Sequence, residues 1–249
     1  MNDTVDVETG SGAPHLSGTA PVGAEYSVVP DPGPIGRLVG VFFRPRRTFE
    51  SMRERPRFLL AAIILLVVQT ALALVLFRSG VIAEMTIAKM EAEGKDQHQI
   101  EAVQTFFEGP AGLMITVGTA PFATAVGILS GAALLFFMAN LMMGARLRFN
   151  HYVSAVVFAG IVQIVDQVVR VVLILLNRSF DVRLGAGNLL GDATGPLVRA
   201  LDTVTDPLFL WGNAICALAV AVYAGKKFGF GALAVIPGMI LAVIFSISR

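Results

Sequence analysis

Residues 59–77 read LLAAIILLVVQTALALVLF, nineteen positions in which only Gln69 and Thr70 are polar. A run of this length spans about 28 Å as a helix, close to the roughly 30 Å of a bilayer's hydrocarbon core. A soluble helix buries one face and leaves the other polar. Here no polar face exists, so the segment predicts a transmembrane helix. The rest of the chain agrees. It is 55% hydrophobic and 15% charged, with a mean hydropathy of +0.72, whereas soluble domains carry about 25% charged residues.

Four more spans follow from the same reading, at about 121–142, 152–176, 208–224 and 230–245, so residues 58–249 form one membrane domain. The apolar block 111–143 is about 50 Å long as a helix, too long for one upright span and too short for two with a turn. Pro121 offers a break, which makes 111–120 an interfacial lead-in. Ala123, Gly127 and Gly131 form a small-xxx-small stripe suited to close helix approach. Asn150 can cap the third span and Asp206, followed by Pro207, the fourth. Between the first two spans, residues 78–110 predict amphipathic helices broken near Gly94, and a short helix is expected near Leu197–Leu201. The fold class is therefore all-α integral membrane, a five-helix bundle.

Residues 1–33 carry Asp3, Asp6, Glu8, Glu25 and Asp31 and no Lys or Arg. Rich in Gly, Pro, Ser and Thr, they bury too little apolar area to offset ordering entropy and read as a disordered acidic tail. There is no basic leader region, so no signal peptide is expected. Residues 34–57 then form a basic amphipathic pre-span segment. Ile35, Leu38, Val39, Phe42 and Phe43 share a helix face, Pro45 restarts the helix, and Thr48 can cap a second short helix beginning at Phe49. With Arg37, Arg44, Arg46 and Arg47 beside the phenylalanines, this segment is expected to lie on an anionic membrane surface.

Charge sets the orientation. With the N-terminus inside, the cytoplasmic flanks hold seven arginines between Arg37 and Arg57 together with Arg146, Arg148, Lys226 and Lys227. The opposite flanks hold seven basic residues over nearly twice the length, diluted by acidic ones. The positive-inside rule thus places the N-terminus in the cytoplasm and the C-terminus outside, and disfavours a sixth span.

Chemistry-bearing residues are few. Cys216 is the single cysteine, and His15, His98 and His151 lie in separate segments, so neither a disulfide nor a metal-ligand spacing is present. No phosphate loop, nucleophile elbow or zinc-protease motif occurs. No enzyme activity, cofactor, metal or nucleic-acid partner is expected. The one unusual feature is Gln163, Asp166, Gln167 and Arg170 inside the third span. Spaced three to four apart, they make a polar stripe. An ionised Asp or Arg at a helix centre costs about 2.5–3.5 kcal/mol on insertion scales, offset by about 5–9 kcal/mol from the span's Val, Ile, Leu and Phe residues. The stripe should therefore face protein or water. It can be an ion or proton relay or a polar substrate site. Equally, it can be an internal salt bridge, with Asn140 and Asn213 as candidate partners. We favour the salt bridge, because no inverted repeat is visible.

The segment LVGVFFRPRRTFESMRERPRFLL, residues 38–60, resembles the sequence that leads into the first span of bacterial members of the Yip family, the Ypt/Rab-interacting membrane proteins. The matching positions are Pro45, Thr48, Phe49 and Pro56. Asp206, Phe209 and Trp211 resemble that family's approach to the fourth span, and Gly225–Lys227 its basic turn before the last. The Asp-Leu-Tyr-Gly-Pro element of some eukaryotic members is absent, so Rab binding does not carry over. Eukaryotic relatives are associated with Rab GTPases, vesicle trafficking and membrane shaping, but bacterial members have no well-defined activity that a motif could transfer. The amphipathic, arginine-rich entry leads us to expect a non-enzymatic scaffold of the bacterial cytoplasmic membrane that organises the bilayer or recruits a membrane-protein partner or a second copy. The alternative is a small-solute, ion or proton transporter or channel subunit built on Asp166 and Arg170.

Overall fold

The computed structural model describes residues 32–179, 182–191 and 195–248. The expected acidic tail lies outside them as far as residue 31. The described chain is helical throughout: α1 (Gly33–Phe43), α2 (Pro45–Ser51), α3 (Leu59–Arg78), α4 (Val81–Ala92), α5 (Gln97–Glu108), α6 (Pro110–Phe136), α7 (Phe149–Asn177), α8 (Pro196–Thr205), α9 (Pro207–Ala224) and α10 (Phe228–Ile247). Among the described residues, five helices (α3, α6 with its continuation, α7, α9 and α10) are long and apolar enough to cross a membrane.

Helix α7 is the hub of the bundle, packing on α3, α6 and α9, while α9 packs in turn on α10. The core lies along these contacts and includes Tyr152, Val157, Phe158 and Val162 of α7 with Val220 and Tyr223 of α9. The outward faces are as apolar as the core. Leu59, Ile63 and Val67 line one side of α3, and Leu233, Ile236, Ile240 and Ile244 one side of α10, all exposed. Contiguous apolar surface on this scale is incompatible with water and suited to lipid.

Boundaries differ from expectation at two of the spans. Residues Pro110 to Met142 form one continuous 33-residue helix, with Pro121 in its interior and no break there. The missing proline donor removes one ladder bond from a helix that has dozens, and the Thr124 hydroxyl bonds the Ala120 carbonyl at 2.9 Å beside it. The last turn, Phe137–Met142, widens into a π-helix. This frees Asn140 to bond the Leu147 carbonyl (2.8 Å) and accept from the Tyr152 hydroxyl (2.5 Å), pinning the turn between α6 and α7. Helix α7 starts at Phe149, before Asn150, and Asn150 does not cap it.

Other local expectations match. Gly94 adopts φ +67° between α4 and α5, a left-handed backbone that glycine takes without steric cost. Asp206 caps α9, its Oδ1 accepting from the Leu208 and Phe209 amides at 2.9 and 3.1 Å. Of the two glycines in the small-residue stripe on α6, Gly131 faces Val156 of α7, whereas around Gly127 there is open space. The close helix crossing lies elsewhere, where Gly231 of α10 sits against the Ala217 carbonyl of α9 so tightly that a Cβ would not fit.

Up-and-down connectivity gathers α1, α2, the start of α3, the 143–148 turn and the Gly225–Lys227 turn at one end, the basic end. The α4–α5 pair, residues 182–191 and α8 lie at the other, the far end.

Candidate functional site

Two sets of side chains stand out, one at each end of α7. Toward the far end, Asp166 and Arg170 lie one turn apart on α7, as the spacing requires. The Arg170 Nε donates to both Asp166 oxygens at 2.9 and 3.0 Å. Its Nη2 pairs with Asp206 Oδ2, and its Nη1 reaches the Val182 carbonyl at 3.4 Å. One guanidinium thereby joins α7, the start of the 182–191 segment and the first turn of α9. Asp206 is fully buried and serves twice: one oxygen caps α9, where the helix dipole favours an anion, and the other holds Arg170.

Gln163 lies two turns before Arg170 and packs on Gly212 of α9, where a Cβ would come within 2.7 Å of its Cγ. Gln167 is half-buried on α7. The expected amide partners are not the partners found. Asn213 bonds the Phe209 carbonyl of its own helix at 2.8 Å, and Asn140 is occupied at the basic end. Asp206 was legible as a cap but not as the second carboxylate of this cluster. The available signal was topological: Arg170 nears the end of one span just where the next begins with a buried-capable Asp.

At the basic end, α1 and α2 form a wedge. Pro45, and not Phe49, opens α2 at its first position, because proline's fixed φ suits a first helical residue; Thr48 therefore lies inside the helix and does not cap it. Gly40 and Thr48 meet where the two helices cross, and the Thr48 hydroxyl bonds the Arg44 carbonyl at 3.1 Å. Phe49, wholly buried, stands edge-on to Phe158 of α7 (6.1 Å between ring centres) and Tyr223 of α9 (5.7 Å). Val41 and Met52 are buried with it. The chain then passes the bundle rim, where the His151 ring lies 3.0 Å from the Arg53 carbonyl and the Ser154 and Tyr223 hydroxyls are 2.9 Å apart.

The residues expected at a membrane surface therefore divide. Phe49 points into the core, because its ring fills the gap between α7 and α9. Phe42 is half-buried against Trp211, 6.4 Å between ring centres, and Arg37 is buried at 5% exposure. Phe43 is 80% exposed and continues a line of Ile35 (71%) and Val39 (54%). That line, spaced four apart, is the outward apolar face of α1. Arg44, Arg46 and Arg47 flank it and are exposed, with Arg46 paired to Glu50 at 2.9 Å.

Five apolar helices around a shared core, with a docked amphipathic wedge at one end, define a multi-pass integral membrane protein that lives in a lipid environment. Its sequence matches the Yip1 domain over residues 39–248, nearly the whole described chain, and the protein belongs to that family. The match begins inside α1 and so takes in the end of α1 and all of α2 as well as the five spans. No curated protein and no solved structure matches the chain.

Proposed function

We propose that this protein is a non-enzymatic membrane organiser, a bacterial-type member of its family. Its basic end faces the cytoplasm, with the N-terminus inside and the C-terminus outside, and its α1–α2 wedge presses into the cytoplasmic leaflet of the cell membrane. The observation that carries this reading is the division of α1 into two faces. The inward face is held to the bundle through Val41, with Phe49 and Met52 of the adjoining α2 turn buried beside it; the outward face presents Ile35, Val39 and Phe43 beside exposed arginines. An apolar strip at a leaflet boundary inserts among acyl chains, and adjacent arginines hold anionic head groups. Because the wedge is fixed to five spans, its insertion displaces lipid on one side only, which favours curvature or recruits a membrane protein, or a second copy, to the same rim.

The transporter reading draws on Asp166 and Arg170. In the present arrangement Arg170 is committed to two carboxylates, one of which also caps α9, an arrangement suited to holding helices together. The membrane-organising reading is tested by reconstituting the full chain at rising protein-to-lipid ratio in vesicles of phosphatidylglycerol and phosphatidylcholine, and imaging their diameters. Wild type should shift the population to smaller vesicles. The triple variant Ile35→Ser, Val39→Ser, Phe43→Ser, which alters no buried residue, should not. A wild-type protein that leaves the diameters unchanged removes the reading.

A further inference from the structure

A cleft of about 500 Å³ opens at the far end, between the end of α3, the start of α6 and the α4–α5 pair. Part of its wall is hydrocarbon, from Phe77, Phe107 and Leu113. Arg78 and Glu108 line it with opposite charges. Glu84 lines it too but is already matched to Arg178 at 3.1 Å. Arg78 and Glu108 pair neither with each other nor with another charged side chain among the described residues. Glu108 accepts from the Gln104 amide at 3.0 Å, a neutral donor that leaves the charge in place, and a carboxylate offers about four acceptor positions. A guanidinium and a carboxylate held apart across one cleft complement a ligand that carries an anion and a cation of its own. A second space, of about 410 Å³, lies between the same two helices nearer the bundle's middle. Leu74 and Val117 line it one turn below Phe77 and Leu113, and Val67 and Pro121 continue it. Its one polar lining residue, Thr70, spends its hydroxyl on the Leu66 carbonyl at 2.8 Å, so the groove offers a ligand only hydrocarbon.

We propose that cleft and groove form one site for a zwitterionic phospholipid with a primary ammonium, of the phosphatidylethanolamine class. Arg78 holds the phosphate, whose oxygens match arginine's planar fork of donors. Glu108 accepts from the ammonium, and an acyl chain lies in the groove between α3 and α6. A soluble zwitterion would meet the same two charges but gain nothing from the groove, so the continuity of the two spaces assigns a lipid. An anionic head group would satisfy Arg78 and bring no cation to Glu108. A quaternary head group would reach Glu108 with no N–H to donate. The site is independent of the membrane-organising reading, which concerns the other end, and of the direction in which the molecule faces. A lipid bound there ties α5, through Glu108, to α3 and α6.

The test is native mass spectrometry of the full chain in mild detergent, with phosphatidylethanolamine or phosphatidylcholine of the same acyl chains added. Wild type should retain one phosphatidylethanolamine at a concentration about tenfold lower than it needs for phosphatidylcholine. Glu108→Gln should abolish that preference, and Arg78→Gln should weaken retention of both lipids. Glu101→Gln, which removes an exposed charge outside the cleft, should change neither. Val117→Trp fills the groove without altering charge and should also lose the lipid, so it carries the test if a charge variant folds poorly. Equal retention of the two lipids by wild type, a preference that survives Glu108→Gln, or full retention by Val117→Trp would each overturn the site. So would displacement of the lipid by millimolar glycerophosphoethanolamine, the same head group without acyl chains, since the cleft would then be a site for a soluble zwitterion.

Discussion

At the scale of single residues, the two aspartates around Arg170 differ in what they hold. Asp166 sits on the same helix as the arginine, so its ion pair adds little to the way helices are arranged. Asp206 is on another helix, is fully buried, and divides its oxygens between the α9 cap and Arg170. Asparagine caps helices as well as aspartate does, so Asp206→Asn keeps the cap and removes only the charge opposite Arg170. A hydrogen bond to a charged group contributes about 1.5–3 kcal/mol, and Arg170 keeps Asp166, so the loss should fall near the lower end, about 1.5 kcal/mol. Asp206→Ala removes the cap too and should cost about 1 kcal/mol more. Unfolding in detergent, followed by loss of helical circular dichroism, measures both. If Asp206→Asn matches wild type, the cluster is not a staple between α7 and α9. This pairing was half legible in sequence. The Asp-Pro start of α9 announces a cap, but nothing in residues 36 positions apart says that the unused oxygen meets an arginine. That fact needs the relative rotation of two helices, which side-chain packing sets.

At the scale of elements, the helices themselves were the most readable feature, because lipid leaves no alternative to satisfying the backbone internally. The same rule explains why Pro121 was misleading. In water a proline often ends a helix, but in a bilayer the released carbonyl has no solvent to turn to, and continuing the helix is cheaper than unwinding it. The wedge was read as two short helices parted near Pro45, but the second begins at Pro45 and not at Phe49, and the faces divide differently from the expected single surface face. Five apolar residues on α1 look alike in a list of hydrophobic positions, whereas the crossing at Gly40 and Thr48 decides which of them turn inward. Small residues were similarly ambiguous. The stripe on α6 has the expected spacing, yet of its two glycines only Gly131 faces a neighbouring helix. The decisive small residue is Gly231, whose missing side chain lets α10 lie on the Ala217 carbonyl of α9. Backbone cannot yield as a flexible side chain can, so Gly231→Ala must part the two helices. Overpacking of this kind costs about 1–3 kcal/mol. Gly127→Ala, at a position facing open space, should be neutral or slightly stabilising through better helix propensity. Thermal unfolding of the two variants side by side checks the contrast, and equal behaviour would mean that α9 and α10 are not in close contact.

At the scale of the whole molecule, the distribution of charge argues for one placement in the membrane. The folded chain collects Arg53, Arg55, Arg57, Arg146, Arg148, Lys226 and Lys227 at a single end, although they come from three separate stretches of sequence. At the far end, Arg178 is paired with Glu84 at 3.1 Å, and Lys89 and Lys95 lie within 4.0 Å of Glu93. These three basic residues are partnered by acids from the same surface. The gathering of basic residues at one end favours holding that end in the cytoplasm. Inverting the molecule would carry those positive groups across the bilayer and place the wedge in the opposite leaflet, where its insertion would meet the wrong surface. With Cys216 replaced by Ser, single cysteines at positions 226 and 89 report the two ends. In sealed inside-out and right-side-out vesicles, a membrane-impermeant maleimide should label Lys226→Cys only from the cytoplasmic face and Lys89→Cys only from the other. Labelling of position 89 from the cytoplasmic face would reverse the orientation, and with it the reason for expecting the wedge in the cytoplasmic leaflet.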